Sequence, residues 1–336
     1  MISKNRMKAK QINLIKYPVG LPKDSDFEFK EIQIRPLKKG EILLEPLYIS
    51  VDPYMRGRMI LGKSYVPPFE LNKPIIGGVV AKVIDSQSEN YKEGDLIQGM
   101  LPWATLILSD GEGLHKIPHS IKPSYFLGIL GMPGLIAYCG FLEICKPQKG
   151  ETVVISGAAG AVGTIVGQIA KIKGCKVIGI AGSDEKTELI KTNFGFDYAI
   201  NYKTDNINDK LKEYCPDGID CYYDNVGGDI TDTVIMHFNK YARMALCGQI
   251  SLYNEVKAPI GPRILPAILK TSSLIKGFIV SDYADKFPEA FKQLTEWIEQ
   301  GALKYEETII DGFENIPQAF IGLFSGENRG KMVVKI

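Results

Sequence analysis

Along this chain of 336 residues the apolar positions change period near residue 125. Before it, short β-branched and aromatic runs at 10–16, 27–34, 42–50 and 75–84 alternate with polar stretches. Glycine and proline punctuate them, at Pro18, Gly20, Pro22, Pro36, Gly40, Pro67, Pro68, Pro74, Gly77 and Gly78. That pattern predicts strands and turns, and no long helical period competes with it. The first third is expected to be an all-β unit, a partly open barrel. Two of its turns, Lys39-Gly40-Glu41 and Glu93-Gly94-Asp95, are repeated in kind by Lys149-Gly150-Glu151. Each sets glycine where a tight turn wants positive φ.

After residue 127 a helical period begins. Residues 131–138 open a helix leading to Cys145, closed by Pro147 and Gly150. The stretch 151–163, ETVVISGAAGAVG, organises the middle of the chain. Thr152–Ser156 reads as a buried strand, broken at Gly157, with Gly160 and Gly163 at three-residue steps. Val162, Ile165, Val166, Ile169 and Ile172 then fall on one helical face, and Gly174 ends it. Strand, glycine turn and helix together suit a pyrophosphate: the backbone can approach the phosphates and the helix start offers N–H groups. The spacing departs from a strict GxGxxG, so a plain strand-to-helix turn stays open as an alternative at this point. Strands at 176–180, 198–201, 219–224, 242–247 and 274–280 alternate with helices at 187–193, 207–214, 229–239 and 284–300. That alternation predicts a doubly wound parallel sheet of α/β class, with its ligand at the carboxyl ends of the strands.

Where the second strand ends, the cofactor is decided. An NAD site places an acid there for the ribose hydroxyls. Here Ala181, Gly182 and Ser183 follow the strand, and Lys186 lies one helical turn on. A missing acid and an added cation favour the 2′-phosphate of NADP. Asp184 and Glu185 read as first-turn acids that suit the helix dipole. Taken alone, Lys186 reads more readily as a solvated helix lysine. In the β-rich part, 52–59 (DPYMRGRM) follows a strand with a polar, aromatic and basic cluster. It is a binding loop or a surface turn with Tyr54 half-buried. Tyr65 is a second candidate, although by itself it reads more simply as core packing.

Composition removes several classes of function. A net charge of +1 gives no electrostatic case for nucleic acid or an anionic membrane. No apolar run is long enough to span a bilayer, and 1–10 lacks the apolar core of a secretory signal. The six cysteines are scattered, which suggests buried thiols in a reducing cytoplasm. Among the three histidines, His115 and His119 are separated by Pro118, and His237 reads as a helix residue packing locally. No cysteine or histidine spacing matches a zinc site, so no metal is expected.

The segments DPYMRGRM (52–59), KSYVPPF (63–69), GMPGLIAY (131–138), GAAGAVG (157–163), AGSDEK (181–186), NYKT (201–204), YDNVGG (223–228), CGQISLYN (247–254), GFIVSDY (277–283) and GENRGKMVVKI (326–336) occur in that order. Over the whole chain they resemble the zinc-free medium-chain dehydrogenases/reductases. The nearest likeness is to the prostaglandin/leukotriene reductase and alkenal double-bond reductase subfamily. The resemblance implies a GroES-like β-rich catalytic domain at 1–126 plus 301–336, and a Rossmann NADP-binding domain at 127–300. It implies NADPH-dependent reduction of the C=C bond of enones or enals, without zinc, in a homodimer. It assigns Gly160, Ala161, Val162 and Gly163 to the pyrophosphate, and Lys186 and Tyr202 to the adenosine phosphate end. Asn225 falls beside the nicotinamide. Cys247, Gly248, Gln249, Ile250, Ser251, Phe278, Ile279 and Val280 line the cleft, with Asn328 closing it. Tyr54 and Tyr65 face the substrate. Tyr253 touches both cofactor and substrate as the catalytic donor. Ile136 stands where members often have Thr, and Leu252 where smaller or polar residues are common. Both bear on substrate range. A quinone reductase, or a non-catalytic NADP-binding protein of this fold, is the alternative.

Overall fold

The protein is described by a computed structural model covering residues 7–336. It divides into two compact units. The first comprises residues up to Leu127, Thr308–Glu327 and Met332–Ile336; the second comprises Gly128–Glu307 and Asn328–Lys331. The second crossing lies at 307/308 rather than at 301. Leu303 N–H still bonds to the Trp297 carbonyl, and Lys304 is held at both backbone groups by the Gln168 side chain. Tyr305 packs against Gly128 so closely that a Cβ there would lie 1.3 Å from its hydroxyl.

The first unit begins with β1 (Met7–Leu14), β2 (Phe27–Ile34), β3 (Ile42–Ser50), β4 (Lys73–Pro74), β5 (Ile76–Ser86), β6 (Leu96–Pro102), β7 (Ile107–Ser109) and β8 (His115–Ile117). The second unit runs α1 (Met132–Cys139), β9 (Thr152–Ser156), α2 (Gly163–Ile172), β10 (Lys176–Ala181), α3 (Asp184–Thr192) and β11 (Tyr198–Asn201). It continues with α4 (Ile207–Tyr214), β12 (Ile219–Asp224), α5 (Gly228–Ile235), β13 (Phe238–Leu246), α6 (Leu265–Thr271), β14 (Leu274–Gly277) and α7 (Phe287–Glu299). The chain ends with β15 (Glu307–Asp311), α8 (Ile316–Ser325) and β16 (Lys331–Lys335).

Two sheets, not one open barrel, make the first unit. One has the order β2-β1-β4 and the other runs β15-β16-β3-β5-β6-β8, with β7 on β3. They share one core, in which Ile12 and Leu14 meet Leu44, Val79, Val83 and Ile97. α8 completes it through Ile316, Phe320 and Leu323, and the Phe320 ring meets Phe27 and Trp103 edge-on at 6.5 and 6.3 Å. The three glycine turns are one device. Gly40, Gly94 and Gly150 have φ of 89°, 90° and 88° with open space where a Cβ would go, so backbone conformation alone requires them. The acid after each glycine accepts the N–H three residues back: Glu41 from Lys38, Asp95 from Lys92 and Glu151 from Gln148.

In the second unit all six strands are parallel, in the order β11-β10-β9-β12-β13-β14. Strand order therefore reverses between β9 and β12, which is where such sheets open a ligand crevice at their carboxyl ends. Several element ends differ from those expected. The helix expected at 229–239 stops at Ile235 and the next strand starts early, at Phe238, because the His237 carbonyl already accepts Ile219 N–H from β12. His237 thus sits in a turn, with its ring on Asn208 at 3.0 Å, and burial lowers its pKa. The strand expected at 274–280 ends at Gly277, which pairs with Leu246, the last residue of its partner β13. The helix expected at 284–300 starts at Phe287, after a 3-10 turn. The helix after Gly131 widens into a π turn over Gly140–Cys145.

One ion pair ties that π turn to the sheet. Arg243 on β13 donates to both Glu151 carboxylate oxygens at 2.9 and 2.6 Å and to the Cys145 carbonyl at 2.8 Å. Burial works to raise the Glu151 pKa, but Arg243 and the Gln148 N–H outweigh it, and the net shift is downward from 4.5. A lowered acid stabilises the fold at pH above its unfolded value and loses that contribution as pH falls through the folded one. Glu151→Gln is expected to cost about 2 kcal/mol at neutral pH. The deficit should shrink toward zero below the ordinary value of 4.5. Urea denaturation of both proteins at neutral and acid pH checks this; a deficit that does not change with pH would mean the pair is not what holds Glu151.

Candidate active site

The site grows from the end of β9, whose five residues are all buried. The chain turns at Gly157, with φ of 59°. α2 then starts so close to the turn that a Cβ on Gly163 would lie 2.4 Å from the Gly157 carbonyl oxygen and 2.7 Å from the Ala158 Cα. Gly163 therefore lets the helix dock, whereas Gly160 is less constrained, its nearest neighbour being at 3.2 Å. At the start of α2 the N–H of Thr164 bonds back to the Gly160 carbonyl and those of Ile165 and Val166 to that of Val162, so what faces the turn is the positive end of the helix dipole. A return segment lies alongside. Gly330 N–H bonds to the Ala159 carbonyl at 2.8 Å, a parallel bridge joins Gly160 to Gly330, and the Asn328 amide holds the Gly330 carbonyl at 2.8 Å.

Beside the turn, β12 ends in Asp224, which is fully buried. Its Oδ1 accepts from Ser156 at 2.7 Å, Tyr222 at 2.9 Å, and the N–H groups of Val226 and Gly227 at 3.1 Å. Its Oδ2 accepts from Thr231 and from Gln249 Nε2, both at 2.8 Å. One carboxylate thereby joins the end of β9, the loop after β12, α5 and the loop after β13. Asn225 follows the same line, its Nδ2 bonding the Ser156 carbonyl at 2.8 Å across the turn. The residues after β13 are laid onto this frame: Gly248 N–H on the Asp224 carbonyl, Ile250 N–H on Asn225 and Ser251 N–H on Val226. Tyr253 is half-buried, and its hydroxyl accepts Gln249 N–H at 3.2 Å. Burial raises the Tyr253 pKa above 10, so the phenol keeps its proton at neutral pH. Phe278 packs edge-on to Tyr223 at 6.5 Å, in space left by Gly140, whose Cβ would lie 2.3 Å from the Phe278 ring.

At the tip of β10 the two acids are engaged elsewhere. Asp184 accepts from Asn201 Nδ2 at 2.8 Å, and Glu185 pairs with Arg329 at 2.6 Å. Ser183 caps α3 through the Lys186 N–H. The Tyr202 ring lies on Gly182, where a Cβ would be 2.9 Å away. Lys186 is half-buried, and burial, Lys203 and Arg329 lower its pKa against the pull of Glu185. Lys186 with Lys203 and Arg329 near it, the last paired with Glu185, gives a cationic strip where the second strand ends, which suits a dianionic phosphate. The glycine cradle suits a pyrophosphate, so this strip fits NADPH.

In the first unit, DPYMRGRM forms a 3-10 turn that buries Met55, Arg56 and Met59. Arg56 donates to the Gly20 carbonyl at 2.9 Å. Arg58 stacks on Phe69 at 4.0 Å and bonds the Pro67 carbonyl, so the turn organises the loop that carries Tyr65. Tyr54 is half-buried; its pKa is raised first by burial and then by Asp52, with a smaller contribution from Tyr65. Tyr65 is 58% exposed, which removes the core-packing alternative. Among the described residues no three His, Cys, Asp or Glu side chains are grouped to hold a metal ion. Asp224 is not among the residues expected at the site, and an acid at the end of an apolar strand, next to glycines, is its only sign in the sequence.

Residues 10–117 match the family described as the N-terminal domain of oxidoreductase, and 161–300 that described as zinc-binding dehydrogenase. Over 334 residues the chain is 46% identical to prostaglandin reductase 1 of Bos taurus, covering 97% of this chain and 99% of that one. The chain belongs to the zinc-free medium-chain dehydrogenases/reductases. This medium-chain reductase is also 44% identical over 334 residues to a 2-alkenal reductase (NADP(+)-dependent) of Nicotiana tabacum, covering 97% of each. The crystal structure of CurA in complex with NADPH from Vibrio vulnificus matches it with a TM-score of 0.92 and 41% identity, covering 97% of this chain and 98% of that one.

Proposed function

We propose that this protein reduces the carbon–carbon double bond of α,β-unsaturated aldehydes and ketones with NADPH. One observation carries the reading: a protonated phenol, Tyr253, stands on the loop that closes the strand ends beside the glycine turn. End-to-end likeness to a prostaglandin reductase and a 2-alkenal reductase supports it. Gly160, Ala161, Val162 and Gly163 would take the pyrophosphate, and Lys186 and Tyr202 the 2′-phosphate. Asn225, Cys247, Gly248, Gln249, Ile250, Ser251, Phe278, Ile279, Val280 and Asn328 would line the cofactor. Bound NADPH supplies a hydride to the β-carbon. The chain's own task is the charge that then gathers on the carbonyl oxygen. Tyr253 donates a hydrogen bond to that oxygen, and the α-carbon takes its proton from Tyr253 or from water, completing addition of one hydride and one proton. Tyr54 and Tyr65, two phenols on neighbouring loops of the first unit, are proposed substrate contacts.

A reducing cytoplasm suits the cysteines, all of which are free, five of them buried. No helix among the described residues is long and apolar enough to cross a membrane. We propose a homodimer formed at the β14 edge of the parallel sheet. This edge is unpaired in the single chain, and near it in sequence Val256, Ile260, Leu265 and Leu269 are 69–99% exposed. An exposed edge with apolar neighbours is normally covered. Sedimentation should give twice the chain mass, and Leu269→Glu should shift it toward one; a monomeric parent rejects the assignment.

The activity is tested by NADPH oxidation with a trans-2-alkenal, a 15-oxo-prostanoid and a benzoquinone. Turnover of the quinone alone would select the other reading. Tyr253→Phe should lower kcat/KM for the enone about 10- to 1000-fold while NADPH still binds. A variant within twofold of the parent would move the proton role away from this phenol.

Cofactor choice depends on the cation strip. A charge-assisted contact is worth about 1.5–3 kcal/mol, so NADPH should be preferred over NADH by at least about tenfold in kcat/KM. Lys186→Ala should raise KM for NADPH and leave NADH use nearly unchanged. Equal use of both cofactors by the parent would show that Asp184 or Glu185 serves the ribose instead.

A further inference from the structure

The proposed chemistry leaves unused the most heavily hydrogen-bonded carboxylate of the second unit. Its link to Tyr253 runs through one side chain. Gln249 Nε2 donates to Asp224 Oδ2 at 2.8 Å and to the Gly248 carbonyl at 3.1 Å. Both amide protons are thereby consumed, and the orientation is fixed, because the flipped amide would set its oxygen against a carboxylate. The same amide lies on Gly227, where φ is 76° and a Cβ would sit 2.3 Å from Gln249 Oε1. Residue 227 is glycine partly to admit this side chain. With the side chain pinned, and Ile250 N–H bonded to the Asn225 carbonyl at 3.3 Å, the backbone of Gln249 is held at φ −137°, ψ 52°. In that conformation its N–H meets the Tyr253 hydroxyl oxygen at 3.2 Å.

We propose that Asp224, acting through the Gln249 side chain, positions the phenol of Tyr253 for proton donation. The inference rests on Tyr253 being the proton donor. The Gln249 N–H occupies a lone pair of the phenol oxygen, so the O–H must point to another acceptor. When that O–H bond breaks and the proton joins the substrate, the electron pair stays on the phenol oxygen, where the same N–H stabilises the charge. Asp224 and Gln249 are positioning residues: neither needs to touch the substrate.

Two variants cut the link from opposite ends. Gln249→Met keeps the length of the side chain and removes its donors. Asp224→Asn keeps the shape and sets an amide against the Gln249 amide. Each is expected to lower kcat about tenfold, and Asp224→Asn, at a residue that does not line the cofactor, to leave KM for NADPH within about twofold. In a Tyr253→Phe background each should cost little more, because partners that act through one group are not additive. Melting temperature is followed throughout, and if Asp224→Asn melts well below the parent, Gln249→Met alone decides. If the link variants keep kcat within twofold while Tyr253→Phe is strongly impaired, the positioning role fails and the Tyr253 reading stands. Losses that persist undiminished in the Tyr253→Phe background also overturn it. A Tyr253→Phe variant as active as the parent overturns both together.

Discussion

A single buried carboxylate holds the carboxyl ends of the parallel sheet in register. The groups that donate to Asp224 are two hydroxyls and a phenol, two backbone N–H groups and an amide, rather than a cation. Such a charge is tolerable in the interior only because its lone pairs are met, and each donor would be costly to leave unmet. The consequence is directional. Ser156 is fixed before the chain turns at Gly157, the loop after β12 is drawn down over α5, and Gln249 is pulled back across Gly227. The glycine turn and the phenol of Tyr253 thus take their places from one anion.

Absent side chains shape the rest of this unit. Gly163 lets a helix start against a turn, Gly182 gives Tyr202 a flat seat, Gly140 receives Phe278 and Gly227 receives Gln249. These are four close approaches, and only that at Gly227 also needs positive φ. Cations gather where the acid of an NAD site would stand. Lys186 is partly desolvated and lies near Lys203 and Arg329, the last of them already paired with Glu185.

In the first unit, the DPYMRGRM stretch is scaffold and surface at once. Buried Met55, Arg56 and Met59 anchor it, Arg58 organises the neighbouring loop on Phe69, and Tyr54 is left partly open. The motif mixes residue types because its two faces have different tasks.

The β-rich first part, the parallel sheet and its glycine turn were legible in the chain, since each rests on local periodicity and on glycine's freedom at positive φ. Strands such as Phe27–Ile34, Ile42–Ser50 and Ile219–Asp224 match their expected bounds for that reason. α8 was also written there, with Ile316, Ala319, Phe320 and Leu323 at helical spacing, but 301–336 was placed only as part of the β-rich domain. Where elements end was less legible. β14 stops at Gly277 because its partner β13 ends opposite it at Leu246, and α5 stops at Ile235 because β12 claims the His237 carbonyl. Sequence alone determined a strand–turn–helix suited to a pyrophosphate and a second strand without an acid at its tip. Only the tertiary structure decided that Asp184 and Glu185 are occupied, that Tyr65 is exposed, and that Asp224 reaches Tyr253 through Gln249. Those outcomes depend on hydrogen bonds between residues up to 144 positions apart, and a local pattern carries no record of them.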